Sequence, residues 1–450
     1  MPQDFALDFH TRRLHDAVHF ERHESPFEDA PALEKPRFAV AIHVRDSNTR
    51  SCLVHSMKMH ALLLWLLAAS SPAVGVETSP ALAELEDQGR SHLYNLEYKD
   101  ARSVFSRLDE LAPTSPIGPY YQAATIWMEE LAKRGGMNGS TFRTGRYWSE
   151  NRHEPPAPEL DREFKDLVAD AVKRAEATLA REPGNKEALY FRGAAEGVLS
   201  AYYAMIERSY YSSYKAGKRA KKYHEQLLEA DPEYADACLL LGIYEYTVAT
   251  LPRTLRVVAF LIGISGSREK GLELVRKAVE SGDRTRWAAR LSLAVMEQRE
   301  KKYQRSLAVL RELEAAFPKN PLFPFERGSV HLLRKDWSTA RRTFDEVRRN
   351  QAAGKPNFDA VEPSLVLLKI AESHLFAKNF RRANDILRKA LEVPDIPNHI
   401  KAVIFLRRGM VSDATGHRDR ARADYRRTLT LNVDKPTNKL AKRYLTKRYR

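Results

Sequence analysis

Cysteine is almost missing from this chain: the 450 residues hold two, Cys52 and Cys238. Two cysteines build neither a disulfide framework nor a paired-cysteine zinc motif. Cys238 lies in the apolar run ACLLLGIYEY and reads as a small buried hydrophobe. Glycine is scarce, at 20 residues, while Ala, Leu, Arg, Glu and Lys dominate. That mixture favours helix over strand. Catalytic signatures are missing as well. HisGluXaaXaaHis does not occur, and His153-Glu154 is followed by Pro155-Pro156, which cannot continue a metal-binding helix. There is no phosphate-cradling glycine loop and no GlyXaaSerXaaGly turn. These absences point away from an enzyme, though an unfamiliar one stays as an alternative, and they imply no cofactor. Long apolar runs are also lacking, so no stretch has the ~20 apolar residues a membrane-spanning helix needs.

What is present is a folded composition, 43% hydrophobic and 30% charged. The formal charge is +15 and uneven. Residues 1–56 hold seven basic and nine acidic side chains, whereas 376–450 hold twenty basic and seven acidic. A basic end attracts an acidic protein, anionic lipid or anionic glycan, or is simply a solvated arginine-rich surface. Export argues against nucleic acid as a partner.

Residues 57–76 read as a secretory signal peptide: a basic start at Met57-Lys58-Met59, an apolar stretch AlaLeuLeuLeuTrpLeuLeuAlaAla, then small residues before a cut after Ala73 or Gly75. A signal peptide belongs at a terminus, so translation is expected to start at Met57 or Met59. Residues 1–56, with six of the fourteen histidines, are then a disordered or wrongly assigned leader. This places the protein in the periplasm or outside the cell, with outer-membrane association as a variant. A genuine start at Met1 would make it cytoplasmic. No cysteine follows the apolar stretch to carry a lipid anchor.

From residue 80 the sequence is periodic. Ser306 and Ala340 are 34 apart, as are Leu310 and Phe344, Leu313 and Val347, and Ala294 and Gly328. Small residues recur on a first helix (Gly89, Gly193, Gly242, Ala294, Gly328, Ala371, Gly409) where a return helix must come close. A second small residue opens the return helix: Ala101, Ala171, Ala220, Ser306, Ala340, Ala383, Ala421. A bulky one follows four later at Phe105, Leu310, Phe344, Leu387 and Tyr425, and prolines end return helices at Pro113, Pro183, Pro232 and Pro318. This spacing is the tetratricopeptide period. The chain resembles tetratricopeptide-repeat proteins over 80–434.

The fold expected is all-α, a right-handed superhelical solenoid of about eight helix pairs. Its units are 80–114, 117–184, 185–233, 234–282, 286–319, 320–352, 363–396 and 398–434, so that a solenoid domain covers 77–434 and 435–450 forms a basic cap. Insertions are expected at 132–159 (a Gly/Pro-rich loop), 198–219 (tyrosine-rich, lengthening both helices) and 250–267 (apolar). The middle, through GlyIleTyrGluTyr, LeuProArg and GlyIleSerGlySerArgGluLysGlyLeu, is similar to exported bacterial repeat proteins. It also resembles a eukaryotic repeat family of the mitochondrial outer membrane and inclusion clearance, a resemblance that implies membrane proximity and no catalytic residues.

The function this implies is a scaffold for a protein or peptide partner, with a lipid- or outer-membrane-associated repeat protein as the alternative. The partner groove is expected on the first helices, three residues before the small packing residue and one or four after it. Those positions are Tyr120, Trp127, Tyr190, Leu239, Ile243, Tyr246, Leu291, Val295, Phe325, Leu332, Leu368, Leu406 and Met410. His92, His331 and His374 share one place in their repeats and read as packing residues rather than ligands. The tyrosine run Tyr202, Tyr203, Tyr210, Tyr211 and Tyr214, beside Lys215, Lys218, Arg219, Lys221 and Lys222, reads as helix packing or as a base-stacking surface.

Overall fold

The computed structural model describes residues 80–135, 154–251 and 264–450, with Arg253, Arg256, Val257 and Phe260 between the last two stretches. The expected leader, the signal peptide, most of the 132–159 loop and much of the 250–267 insertion lie outside the described residues. Seventeen α-helices and no strand occur among the described residues.

They run as eight antiparallel pairs and a cap. The pairs are α1 (Pro80–Tyr94) with α2 (Tyr98–Leu111), α3 (Ile117–Lys133) with α4 (Pro158–Arg181), α5 (Lys186–Tyr202) with α6 (Tyr210–Ala230), and α7 (Ala235–Ala249) with α8 (Arg268–Ser281). Then come α9 (Arg286–Arg299) with α10 (Tyr303–Ala316), α11 (Leu322–Leu333) with α12 (Trp337–Ala352), α13 (Pro363–Phe376) with α14 (Phe380–Leu391), and α15 (Asn398–Ala414) with α16 (Arg418–Leu431). Helix α17 (Lys435–Thr446) covers the last pair. Each pair buries one face on its partner and another on the next pair, which makes an all-α superhelical solenoid. No described helix is long and apolar enough to cross a membrane.

Proline sets several helix ends. Helices α2, α4, α6 and α10 stop at Leu111, Arg181, Ala230 and Ala316, each two residues before a proline. Inside the pairs, the small residues stand where they must. A Cβ on Gly89 would come within 2.3 Å of the Phe105 ring, one on Gly328 within 2.7 Å of Phe344, and one on Gly409 within 2.5 Å of Tyr425. Ala101, Ala171, Ala220, Ser306, Ala340, Ala383 and Ala421 are wholly buried.

Two pairs fill the pattern with other residues. Opposite Gly193 stands His224, whose Cδ2 would lie 2.2 Å from an added Cβ. Opposite Gly242 stands Gly271, whose carbonyl would be 2.8 Å away. In the tyrosine-rich stretch, α5 runs into a π-helical turn at Tyr203–Glu207, and Arg208 reverses the chain with a left-handed φ of 59°.

Candidate partner groove

The expected groove residues divide by burial. Tyr190, Leu239, Tyr246, Phe325, Leu368, Leu406 and Met410 are buried. Tyr120, Trp127, Leu291, Val295 and Leu332 are half-buried, and Ile243 is 38% exposed. Most of the expected stripe is therefore enclosed, and the part in contact with solvent is Tyr120, Trp127, Ile243, Leu291, Val295 and Leu332.

Helix geometry gives the reason. At about 100° per residue, positions three before and four after the small residue lie roughly 60° and 40° from it around the helix. They border the face packed on the return helix and become core. Phe325 lies against Phe344, with ring centroids 5.4 Å apart. Tyr190 stacks on His224 at 5.5 Å and meets Phe191 edge-on at 5.0 Å.

A second cause is closure from the N-terminal pair. The Tyr121 hydroxyl donates to Glu86 Oε1 at 2.7 Å, and Arg284 Nε donates to the same oxygen at 2.9 Å. Arg284 Nη2 donates to Glu187 at 2.8 Å, and its guanidinium lies 5.3 Å above the Phe191 ring. Burial, then the Glu86 charge, push the Tyr121 phenol well above its ordinary value, so it stays a donor. The end of α1 is held by side-chain amides from far along the chain: Asn320 Nδ2 donates to Tyr94 O and Asn357 Nδ2 to Asn95 O, each at 2.7 Å. Tyr94 also packs on Phe317 at 5.1 Å. None of Glu86, Arg284, Asn320 or Asn357 stands out in the sequence, because each is a single polar residue with no partner nearby in the chain.

The flagged histidines serve the turns between paired helices. His92 Nδ1 lies 2.8 Å from Glu97, and His331 Nδ1 lies 3.3 Å from Asp336. His374 accepts the Asn379 N–H on its carbonyl at 2.8 Å. Among the described residues, His92, Glu97 and Asp100 have metal-ligating proximity, but Glu97 is engaged by His92 and Lys319. Burial lowers the pKa of His224 to about 4, and its Nε2 lies 3.1 Å from the Tyr190 carbonyl oxygen. Burial pushes Glu372 up, yet Lys369 and Arg407, each at 2.8 Å, outweigh it and hold the carboxyl at about 2. Cys238 is buried, and burial raises its thiol pKa.

Toward the C-terminus the carboxylates turn inward. Asp413, Asp424 and Asp434 are 2%, 3% and 1% exposed. Asp413 takes Arg418 and the Tyr425 hydroxyl, Asp424 takes Arg408 bidentately, and Asp434 caps α17 through the Thr437 N–H. Arg388, Lys389, Arg422, Arg426, Lys439 and Lys442 remain exposed. The outer field of α14, α16 and α17 is thus more basic than the composition alone indicates.

Residues 297–355, covering α10–α12 where the 34-residue spacing is clearest, match the tetratricopeptide-repeat family model. Those residues are tetratricopeptide repeats. Residues 150–321 match the model described as Regulator of microtubule dynamics protein 1-3, a description different from the two resemblances read in the same region. No curated protein matches. Among solved structures, the chain is similar to the APC/C hetero-tetramer Cut9-Hcn1, at 14% identity and a TM-score of 0.47. That match covers 87% of this chain and 59% of the other, so the chain spans under two thirds of its length. It is also similar to the human IFIT1 dimer with PPP-AAAA (14% identity, TM-score 0.39, 80% and 83% covered). A third is Pseudomonas aeruginosa pilF (17% identity, TM-score 0.37, 57% and 97% covered).

Proposed function

We propose that this repeat protein is a non-catalytic scaffold that holds an acidic protein or peptide segment, in the periplasm or outside the cell. The observation that carries the reading is the basic C-terminal surface, where three of seven carboxylates in 376–450 are buried and the arginines and lysines between them face water. Such a surface favours an anionic partner and speeds its encounter. Export is supported by the composition of residues 57–76 alone. Crosslinked capture from the native envelope tests the scaffold. Arg422→Glu with Arg426→Glu is expected to lower capture about tenfold, and capture is expected to fall with salt. Undiminished capture by that variant removes the basic surface from the function. N-terminal sequencing of the natural protein tests export, which a product beginning near Met1 would exclude.

The alternative of a lipid-associated protein is favoured by one observation: Val257 and Phe260 are 55% and 72% exposed, close in sequence to Arg253 and Arg256. An apolar and cationic pair of this kind suits an anionic bilayer surface. Flotation with anionic liposomes separates the readings, since a protein that stays at the bottom of the gradient has no such association.

A further inference from the structure

A cavity of about 210 Å³ opens where α7, α8 and α9 end or begin, lined by Tyr246, Thr250, Arg256, Arg268, Arg299 and Glu300 among others. Arginine dominates it: Arg256, Arg268 and Arg299 are all exposed, and two of their guanidiniums bond to main-chain carbonyls. Arg256 Nη1 donates to the carbonyl of Ala249 at 3.1 Å and Arg299 Nη2 to that of Thr250 at 3.5 Å, both at the C-terminal end of α7. Arg299 also lies 5.4 Å over the Tyr246 ring. Arg268 opens α8, and the positive end of that helix is offset by the C-terminal ends of α7 and α9 at the same cavity, so the side chains set its charge. Against these three cations stands one carboxylate, Glu300. It lies 3.6 Å from Arg268 Nε and accepts the Tyr246 hydroxyl at 2.9 Å.

The balance is therefore three positive charges against one negative, and a dianion would neutralise it. Each guanidinium carries five N–H donors, and the bonds just named occupy a minority of them. Planar donor forks that converge on a small polar cavity match the oxygens of a phosphate group, which guanidinium grips in pairs. A lone carboxylate ligand would leave the cavity cationic. We propose that this cavity binds a dianionic phosphate group, the head of a phosphomonoester. The chemistry is the same whether the phosphate is borne by a small soluble molecule or by a lipid. The exposed Val257 and Phe260, next to Arg256 in sequence, give the lipid source a physical basis.

Titration calorimetry on the full chain tests this, with inorganic phosphate as the probe and acetate at matched ionic strength as the monoanion control. Saturable one-site binding of phosphate, absent with acetate, is expected. Arg268→Gln should weaken it roughly tenfold, and Glu300→Gln, which removes the single negative charge while keeping an acceptor for Tyr246, should strengthen it several-fold. A gain of affinity cannot come from misfolding, so the pair remains informative even if the first variant is destabilised. Vesicles of phosphatidylcholine with and without phosphatidic acid, a lipid phosphomonoester, identify the source. Retention that depends on phosphatidic acid and on Arg268 assigns a lipid head, and phosphate binding without retention assigns a soluble ligand. No phosphate binding, or affinities unchanged in both variants, overturns the proposal.

Discussion

His224 shows how one side chain couples packing to pH. It fills the place that Phe105, Phe344 and Tyr425 take in other pairs, pressed on Gly193 and stacked on Tyr190. Its imidazole is 2% exposed, and burial holds its pKa at about 4 against the usual 6.5. The unfolded chain takes up the proton first, so the stability tied to neutral His224 is complete above pH 6.5 and is lost as pH falls toward 4. Urea unfolding should show the wild type losing about 3 kcal/mol more than His224→Gln over that window. Parallel pH profiles would mean that the ring is not desolvated as the structure has it. The Gly89–Phe105, Gly328–Phe344 and Gly409–Tyr425 contacts were legible in the sequence because close helix approach demands a small and a bulky residue at a fixed interval. The His224 and Gly271 substitutes were not, since insertions break the 34-residue spacing there and an imidazole carries no hydrophobic signal.

Between elements, one turn recurs in five pairs. Leu96, Lys301, Lys335, Lys378 and Gly416 take left-handed φ values of 64°, 59°, 62°, 62° and 89°. In each case the next residue's N–H bonds back five residues: Glu97 to His92, Lys302 to Glu297, Asp336 to His331, Asn379 to His374 and His417 to Ser412. This is the Schellman ending of a helix, where glycine is favoured because it has no Cβ to crowd the following carbonyl. Four of the five turns therefore carry strain at a side chain. Lys335 is exposed, so Lys335→Gly should raise stability by about 0.5–1 kcal/mol, while Gly416→Ala should lower it by about 1 kcal/mol. Thermal unfolding reads both, and a loss in the first variant would contradict the turn geometry. In the sequence the shared place of His92, His331 and His374 marks three of these turns, each five residues before the residue that closes it. The expected groove stripe is largely enclosed for a reason at this scale too, because its positions sit about 40° to 100° from the packing face rather than opposite it.

At the scale of the whole described solenoid, the first helix pair is tied to loops some two hundred residues later. Arg284 reaches Glu86, Lys319 reaches Asn95 and Glu97, and Asn320 and Asn357 hold the carbonyls of Tyr94, which ends α1, and of Asn95, which follows it. Periodicity predicts contacts between neighbouring repeats, and each of these long-range partners is a single polar residue, so nothing in the sequence announced the closure. Its energetic centre is Glu86, 3% exposed, whose charge is matched by Arg284, by Arg90 at 3.7 Å and by the Tyr121 hydroxyl. A buried ion pair adds little net stability, but removing one partner leaves the other charge desolvated at a cost of several kcal/mol. Arg284→Ala is expected to destabilise the protein by roughly 3 kcal/mol, and adding Glu86→Gln, which removes the stranded charge, should recover part of that loss. Hydrogen exchange discriminates this closure from general weakening. In Arg284→Ala, amides of α1 and α2 should lose protection while those of α13 to α16, packed in their own core, keep it. Equal loss of protection in both regions would show that Arg284 supports the whole solenoid, and that the N-terminal pair does not open on its own to uncover Tyr120, Trp127 and Tyr190.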